Sequence, residues 1–266
     1  MQANTHPVTA SRGQSELARA RAIVCFNSVM LYGLAAASFL ESAVDLHAGR
    51  VSGALTALPE SRLWLEQVWV AQRADLGRRL REYVEATWPE FDWSSAYAQF
   101  LQPCQARAGI VRGRPVALEV LRLCVWETLA AVFYRGLARA ADEAGLRALA
   151  HEAAATHAAF FDYFRGIYEH CKRSDRVGFA ATWLALPAVC RSVRDLHLRT
   201  AFEALPQNWN GPRTVPELAY GDFVSRLVQL LRRHAGIGRI ERFLFRPWLT
   251  TERAAPAAPA PALQPA

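Results

Sequence analysis

The sequence predicts an all-α protein. Apolar residues recur every third or fourth position over long stretches, strand-like alternation is scarce, and the 266-residue chain is 52% hydrophobic, ample for a core. Helices are expected at about 14–48, 60–87, 94–105, 115–142, 144–172, 177–203 and 217–244. Pro59 sits where a helix starts and Pro89 where it stops. The stretch GIVRGRP (109–115) reads as a loop. Gly145 is expected to separate two long helices, and Pro187 to kink or divide the sixth. QNWNGPRTVP (207–216) reads as a long turn. Four of the helices are long, with a long connection in the middle, which predicts a four-helix bundle with a crossover and additional C-terminal helices.

The domain reading is a polar lead at 1–13, one helical domain at 14–248, and an Ala/Pro-rich tail at 249–266 expected to be disordered. Ala22 to Leu40 is a 19-residue run without charge, just long enough for a bilayer span or an export signal. It contains Asn27, Ser28, Gly33 and Ser38, and its helical phase continues through Glu41, Val44 and Ala48. It is therefore expected to be a buried helix and not a membrane span.

The net charge is +7, and Lys172 is the only lysine among 31 basic residues. That balance suits acidic partners. Basic residues are interspersed with acidic ones, without a basic cluster or a nucleic-acid-binding motif, so nucleic acid is not the expected partner. Five cysteines without a CxxC pair suggest neither zinc nor a disulfide framework, and a cytoplasmic setting is expected.

Four apolar stripes carry the most specific signal. They run Phe26, Met30, Leu34, Ala37, Glu41, Val44; Leu65, Trp69, Arg73, Leu76, Leu80, Tyr83; Val120, Cys124, Glu127, Ala131, Tyr134; and Leu149, Ala153, His157, Phe160, Phe164. Each holds one ionisable residue near mid-helix. An unpaired buried charge costs several kcal/mol, on the order of ~5, so four in separate places would be hard to tolerate. Meeting at one level of a bundle, Glu41, Arg73, Glu127 and His157 would compensate one another. Asp195 and His197 lie two apart and cannot share a helix face. His170 and Cys171 are expected to form a solvated helix end. Trp64, Trp69, Trp88, Trp93 and Trp126 are expected to pack the core and its rim.

The stretch WVAQRADLGRRLREYV (69–84) resembles the second core helix of soluble acyl-carrier-protein desaturases, members of the ferritin-like superfamily. Trp69, Ala71, Gly77, Leu80, Arg81, Glu82 and Tyr83 fit that helix without a gap. VWETLAAVFYRG (125–136) resembles the third core helix, with Glu127 at a ligand position. THAAFFDYFRG (156–166) resembles the fourth, and SFLESAVDLH (38–47) the first, with Glu41 at or next to its ligand. The resemblance covers about residues 35–200. It implies a ferritin-like bundle, iron and oxygen chemistry on acyl chains, an acidic acyl carrier protein as partner, and a homodimer.

The departures reverse part of that expectation. A carboxylate-bridged di-iron site needs two single Glu ligands and two Glu-x-x-His pairs. Here Arg73 and Leu76 stand where one pair is expected, and His157 and Phe160 where the other is; Glu152 and His157 are five apart and point to different faces. An Arg guanidinium can fork between Glu41 and Glu127, and it repels Fe(II). The expectation is a bundle that has lost its metal, holds no cofactor, and binds an acyl chain, another hydrophobic chain or a partner protein. The alternative is an oxygen-dependent iron oxidoreductase with one metal on Glu41, Glu127 and His157. A structural or DNA-associated role rests on charge alone.

Overall fold

The computed structural model describes residues 27–107, 115–211, 218–236 and 238. Among these the chain is a bundle of helices, and its only β feature is an isolated bridge between Phe91 and Trp209. The order is α1 (Ser28–Ser42), α2 (Val44–Ala54), α3 (Pro59–Trp64), α4 (Val70–Thr87), α5 (Trp93–Arg107), α6 (Val116–Ala140), α7 (Ala144–Ser174), α8 (Phe179–Ser192), α9 (Arg199–Gln207) and α10 (Tyr220–His234). Two π-helical turns, Leu65–Trp69 and Val193–Leu198, join α3 to α4 and α8 to α9. The predicted lead, the tail, Phe26 and the 109–114 loop lie outside the described residues.

Of the span expected to form one helix over 14–48, residues 14–26 lie outside the described residues; the first described helix starts at Ser28, where the Asn27 side chain accepts a hydrogen bond from the Met30 amide at 3.2 Å. It breaks at Ala43, whose backbone leaves the helical region, and resumes as α2 after a 47° bend. No helix among the described residues is by itself long and apolar enough to cross a membrane; only this bent pair, taken together, meets the criterion. Most of α1 is buried, with Leu34, Ala35 and Phe39 fully enclosed. Its end lies directly on α4. A Cβ built on Gly77 would sit 2.7 Å from Ser42 Oγ and 2.8 Å from its amide nitrogen, so only glycine allows the contact.

The boundary between α6 and α7 corrects another expectation. The chain turns at Ala141–Glu143, and Gly145 lies inside the first turn of α7. The Glu143 carboxylate caps that helix by accepting from the amides of Gly145 (2.9 Å) and Leu146 (2.8 Å). Pro187 does not divide α8, which runs on to Ser192 and passes into the π turn. The last helix is shorter than expected, and its Phe223, Val224, Leu227, Val228 and Leu231 face the core in a single stripe.

Helices α1, α4, α6 and α7 carry the four apolar stripes. The stripe of α4 continues through buried Val84, with Tyr83 only half-buried at its edge. The buried side chains fall into two hydrophobic clusters. One holds Leu34, Ala37, Leu76, Leu80, Leu129, Tyr134, Leu149 and Ala153. The other holds Val44, Trp69, Val120, Cys124, Phe160 and Phe164. Along each of the four stripes, the ionisable residue lies between side chains of the first cluster and side chains of the second, the latter supplied by α2 after Glu41 and by the π turn before Arg73. A charged layer separates two apolar cores.

Candidate functional site: a buried charged layer and the cavity beside it

The structure brings Glu41, Arg73, Glu127 and His157 together, one from each of α1, α4, α6 and α7. Their exposures are 3%, 2%, 0% and 0%. Arg73 Nε donates to Glu41 Oε2 at 2.6 Å, and its Nη1 lies 3.7 Å from Glu127 Oε1. Its Nη2 reaches the Leu40 carbonyl at 3.4 Å. The His157 ring stands between the two carboxylates, with Nδ1 2.5 Å from Glu127 Oε2 and Nε2 3.2 Å from Glu41 Oε1. The second of these is an ion-pair contact without the alignment of a hydrogen bond.

Two aromatic residues complete the layer. Trp69 Nε1 donates to Glu127 Oε1 at 2.9 Å, and the indole lies under the Arg73 guanidinium, 5.1 Å from ring centre to Cζ. Tyr134 donates its hydroxyl to Glu41 Oε1 at 3.1 Å and stacks on His157 with ring centres 5.3 Å apart. The sequence places both residues on the stripes, where Trp69 reads as packing and Tyr134 has no role of its own. The available signal was spacing: Trp69 precedes Arg73 by one helical turn, and Tyr134 follows Glu127 by two. The π turn ending at Trp69 was not legible. Val70 donates back five residues to the Leu65 carbonyl, and this wider turn re-phases the helix just before the layer.

Burial by itself would raise the Glu41 carboxyl, but the Arg73 guanidinium and His157 beside it outweigh that and hold it at about 2. Burial by itself would lower His157, yet Glu41 and Glu127 pull it up to about 9. Arg73 is likewise raised against its burial by the same two carboxylates. Burial, reinforced by Glu41, pushes the Tyr134 phenol well above its ordinary value. At neutral pH Glu41 is thus ionised, Arg73 and His157 are cations and Tyr134 is a neutral phenol, so the layer sets two cations against the Glu41 and Glu127 carboxyl groups.

Iron on Glu41, Glu127 and His157 does not fit this arrangement. The two imidazole nitrogens face different carboxylates, so neither is aimed at a point shared with both acids. The guanidinium occupies the side of the carboxylates that a cation would need. Among the described residues no group of three or more His, Cys, Asp and Glu side chains is arranged to hold a metal ion.

On one side of the layer an apolar cavity of about 80 Å³ opens. Glu41, Arg73 and Tyr134 form its polar end, and Ala37, Leu129 and Phe133 are among its apolar walls. The second π turn borders it through Val193 and Leu198. Both departures from α geometry thus adjoin the site.

The remaining candidates lie elsewhere. His170 is exposed but Cys171 is buried in the second core, so the two do not form a solvated end. Asp195 pairs with Arg194 at 2.6 Å at the surface, whereas His197 turns inward against Trp126, ring centres 5.1 Å apart. Trp69, Trp88, Trp93 and Trp126 are buried, and Trp64 stacks at the rim on Tyr163. Comparison with protein-family models, with curated proteins and with solved structures gives no match.

Proposed function

We propose that this chain is a divergent ferritin-like bundle, akin to acyl-carrier-protein desaturases, in which a charge-neutral layer stands in place of a metal centre, and that it binds a hydrophobic group without oxidising it. The observation that supports this most is the pair of cations set against the two carboxylates. Arg73 and His157 supply to Glu41 and Glu127 the positive charge that metal ions would otherwise bring. The layer compensates its own charges and requires no cofactor to neutralise it.

The ligand class follows from the cavity. Its walls are apolar and its inner end is polar, the arrangement that accepts a chain end or a small hydrophobic molecule. At about 80 Å³ it is well below the ~150 Å³ of an engineered cavity that holds benzene. It therefore suits a short apolar group, or the last few carbons of a longer chain whose remainder stays outside. An acyl chain carried by an acidic carrier protein would satisfy both the cavity and the net charge of +7.

Three measurements test the reading. After anaerobic Fe(II) loading and desalting, metal analysis should find far less than one iron per chain; two irons per chain would overturn the metal-free assignment. Titration with acyl-loaded carrier protein should show binding that weakens as salt rises. Absence of binding at low salt removes the carrier, and absence of thermal stabilisation by short-chain alkanols removes the cavity as a ligand site.

A further inference from the structure

The polar end of the cavity holds hydrogen-bond donors that have little to bond. Arg73 carries a fork of N–H donors, and among the described residues only its Nε makes a short bond, to Glu41 Oε2 at 2.6 Å. Nη2 reaches the Leu40 carbonyl at 3.4 Å, the outer limit of a hydrogen bond. Nη1 lies 3.7 Å from Glu127 Oε1, beyond that limit, and this oxygen already accepts from Trp69 at 2.9 Å. Arg73 is 2% exposed, and a buried donor without a good acceptor costs free energy.

The acceptors at that end already have partners. Glu41 Oε2 takes the Arg73 bond; Oε1 takes the Tyr134 hydroxyl at 3.1 Å and faces His157 Nε2 at 3.2 Å. Of the other lining side chains only Trp126 bears a polar atom, and its indole N–H is again a donor. The rest are hydrocarbon, Ala37, Leu129 and Phe133 among them. The cavity thus offers spare donor capacity at one end of an apolar space of about 80 Å³.

Resting on the reading of this cavity as a ligand site, we propose that its occupant is a small uncharged carbonyl compound, a short-chain ketone or the oxo end of a longer chain, whose oxygen accepts from the Arg73 guanidinium while its alkyl groups lie against the apolar walls. A carbonyl brings acceptors and no donor, which is what this end lacks. An amine would set a further cation against the guanidinium. A carboxylate would add a negative charge beside Glu41, where two cations already face the Glu41 and Glu127 carboxyl groups, in a site that screens little. A plain hydrocarbon fills the space but leaves the guanidinium donors unmet.

The test is titration of the full chain with butanone and with its isostere in which a methylene group replaces the oxygen, followed by NMR with the Arg73 guanidinium nitrogens as reporter. Butanone should bind about tenfold or more tightly than the isostere, the order expected of one hydrogen bond to a charged donor. It alone should shift the Arg73 resonances. Butylamine and butyrate should bind about tenfold or more weakly than butanone. Ala37→Leu, which fills part of the cavity from one turn before Glu41, should abolish butanone binding, and Ala130→Leu serves the same purpose if that variant does not fold. Equal affinity for butanone and the isostere, or butyrate or butylamine binding as tightly as butanone, overturns the carbonyl assignment and leaves the cavity a ligand site. Butanone binding that both cavity-filling variants leave unchanged overturns it by placing the ketone elsewhere. Binding of neither butanone nor the isostere overturns it together with the reading it rests on.

Discussion

Helix α4 carries two arginines six residues apart that make ion pairs of the same length. Arg73 reaches Glu41 at 2.6 Å inside the protein, and Arg79 reaches Glu152 at 2.6 and 2.7 Å on its outer surface. The Arg79 pair is the better fork, with both terminal nitrogens on one carboxylate. The surroundings differ: the Arg73 and Glu41 side chains are each 3% exposed, those of Arg79 and Glu152 34% and 60%. Water and salt screen the outer pair, while the inner one lies in a medium that screens little. What a pair is worth here depends on what would be stranded without it, and bond length is a poor guide to that.

The largest expected effect is therefore at the inner arginine. Arg73→Leu leaves Glu41 and Glu127 facing each other with only His157 between them. Removing one partner of a buried pair costs about 3–5 kcal/mol. For a domain of this size that lowers Tm by roughly 6–20 °C. The loss should ease as pH falls, because the stranded carboxylates then protonate. Adding Glu41→Gln and Glu127→Gln to the same variant should recover much of it. Thermal melts of the single and triple variants check this, and a single variant within a degree or two of wild type would break the comparison at its inner end.

The second effect is a pH profile. His157 titrates at about 9 in the folded protein against an ordinary value of 6.5. A raised folded value means its contribution is complete below about pH 6.5 and is lost as pH rises through about 9. The difference corresponds to about 3 kcal/mol. Glu41 runs the other way, from an ordinary 4.5 down to about 2, so its contribution is complete above about 4.5 and is lost as pH falls toward 2. Urea midpoints should thus form a plateau between about pH 4.5 and 6.5, falling on both sides. His157→Gln should flatten the alkaline side. A wild-type midpoint that is level from pH 6.5 to 9 would mean the imidazole is not held as a cation.

A smaller effect is expected at the indole. Trp69→Phe keeps the ring over Arg73 but leaves Glu127 Oε1 without its hydrogen bond at 2.9 Å. An unsatisfied buried acceptor costs about 1–3 kcal/mol. Restoring the balance with Glu127→Gln should then help less than it does beside Arg73→Leu, because the arginine is still present.

The inner layer was legible in the sequence because a charge on an apolar stripe violates the pattern around it. Glu41, Arg73, Glu127 and His157 each break a 3.6-residue repeat, and burial requires such breaks to meet. Trp69 and Tyr134 were not legible as members, because an aromatic residue satisfies the pattern whether or not its polar tip has a task. The π turns and the bend at Ala43 carry no glycine or proline, so nothing in the local sequence announces them. Helix α8 is the reverse case. Its composition reads as core, and only the tertiary arrangement leaves Leu184 outside. The turn before α7 was misplaced because Gly145 looked like the breaker, whereas Glu143 caps the helix from two residues earlier.

The smallest expected effect sharpens the comparison from its outer end. Arg79→Ala removes both bonds to Glu152 and the contact to Asp75 at 3.9 Å. Neither carboxylate is stranded, because each returns to water that already reaches it. Holding two long side chains in one geometry also costs rotamer freedom, which the variant regains. The expected loss is about 0–1 kcal/mol, with a Tm change of a few degrees at most. It should shrink further as salt is raised, while the cost of Arg73→Leu should hardly respond, since mobile ions do not enter the layer. Melts of both variants at low and high salt make the distinction. Should Arg79→Ala cost as much as Arg73→Leu, or both respond equally to salt, burial would not be the controlling variable, and the account of the charged layer as an internally compensated unit would fall with it.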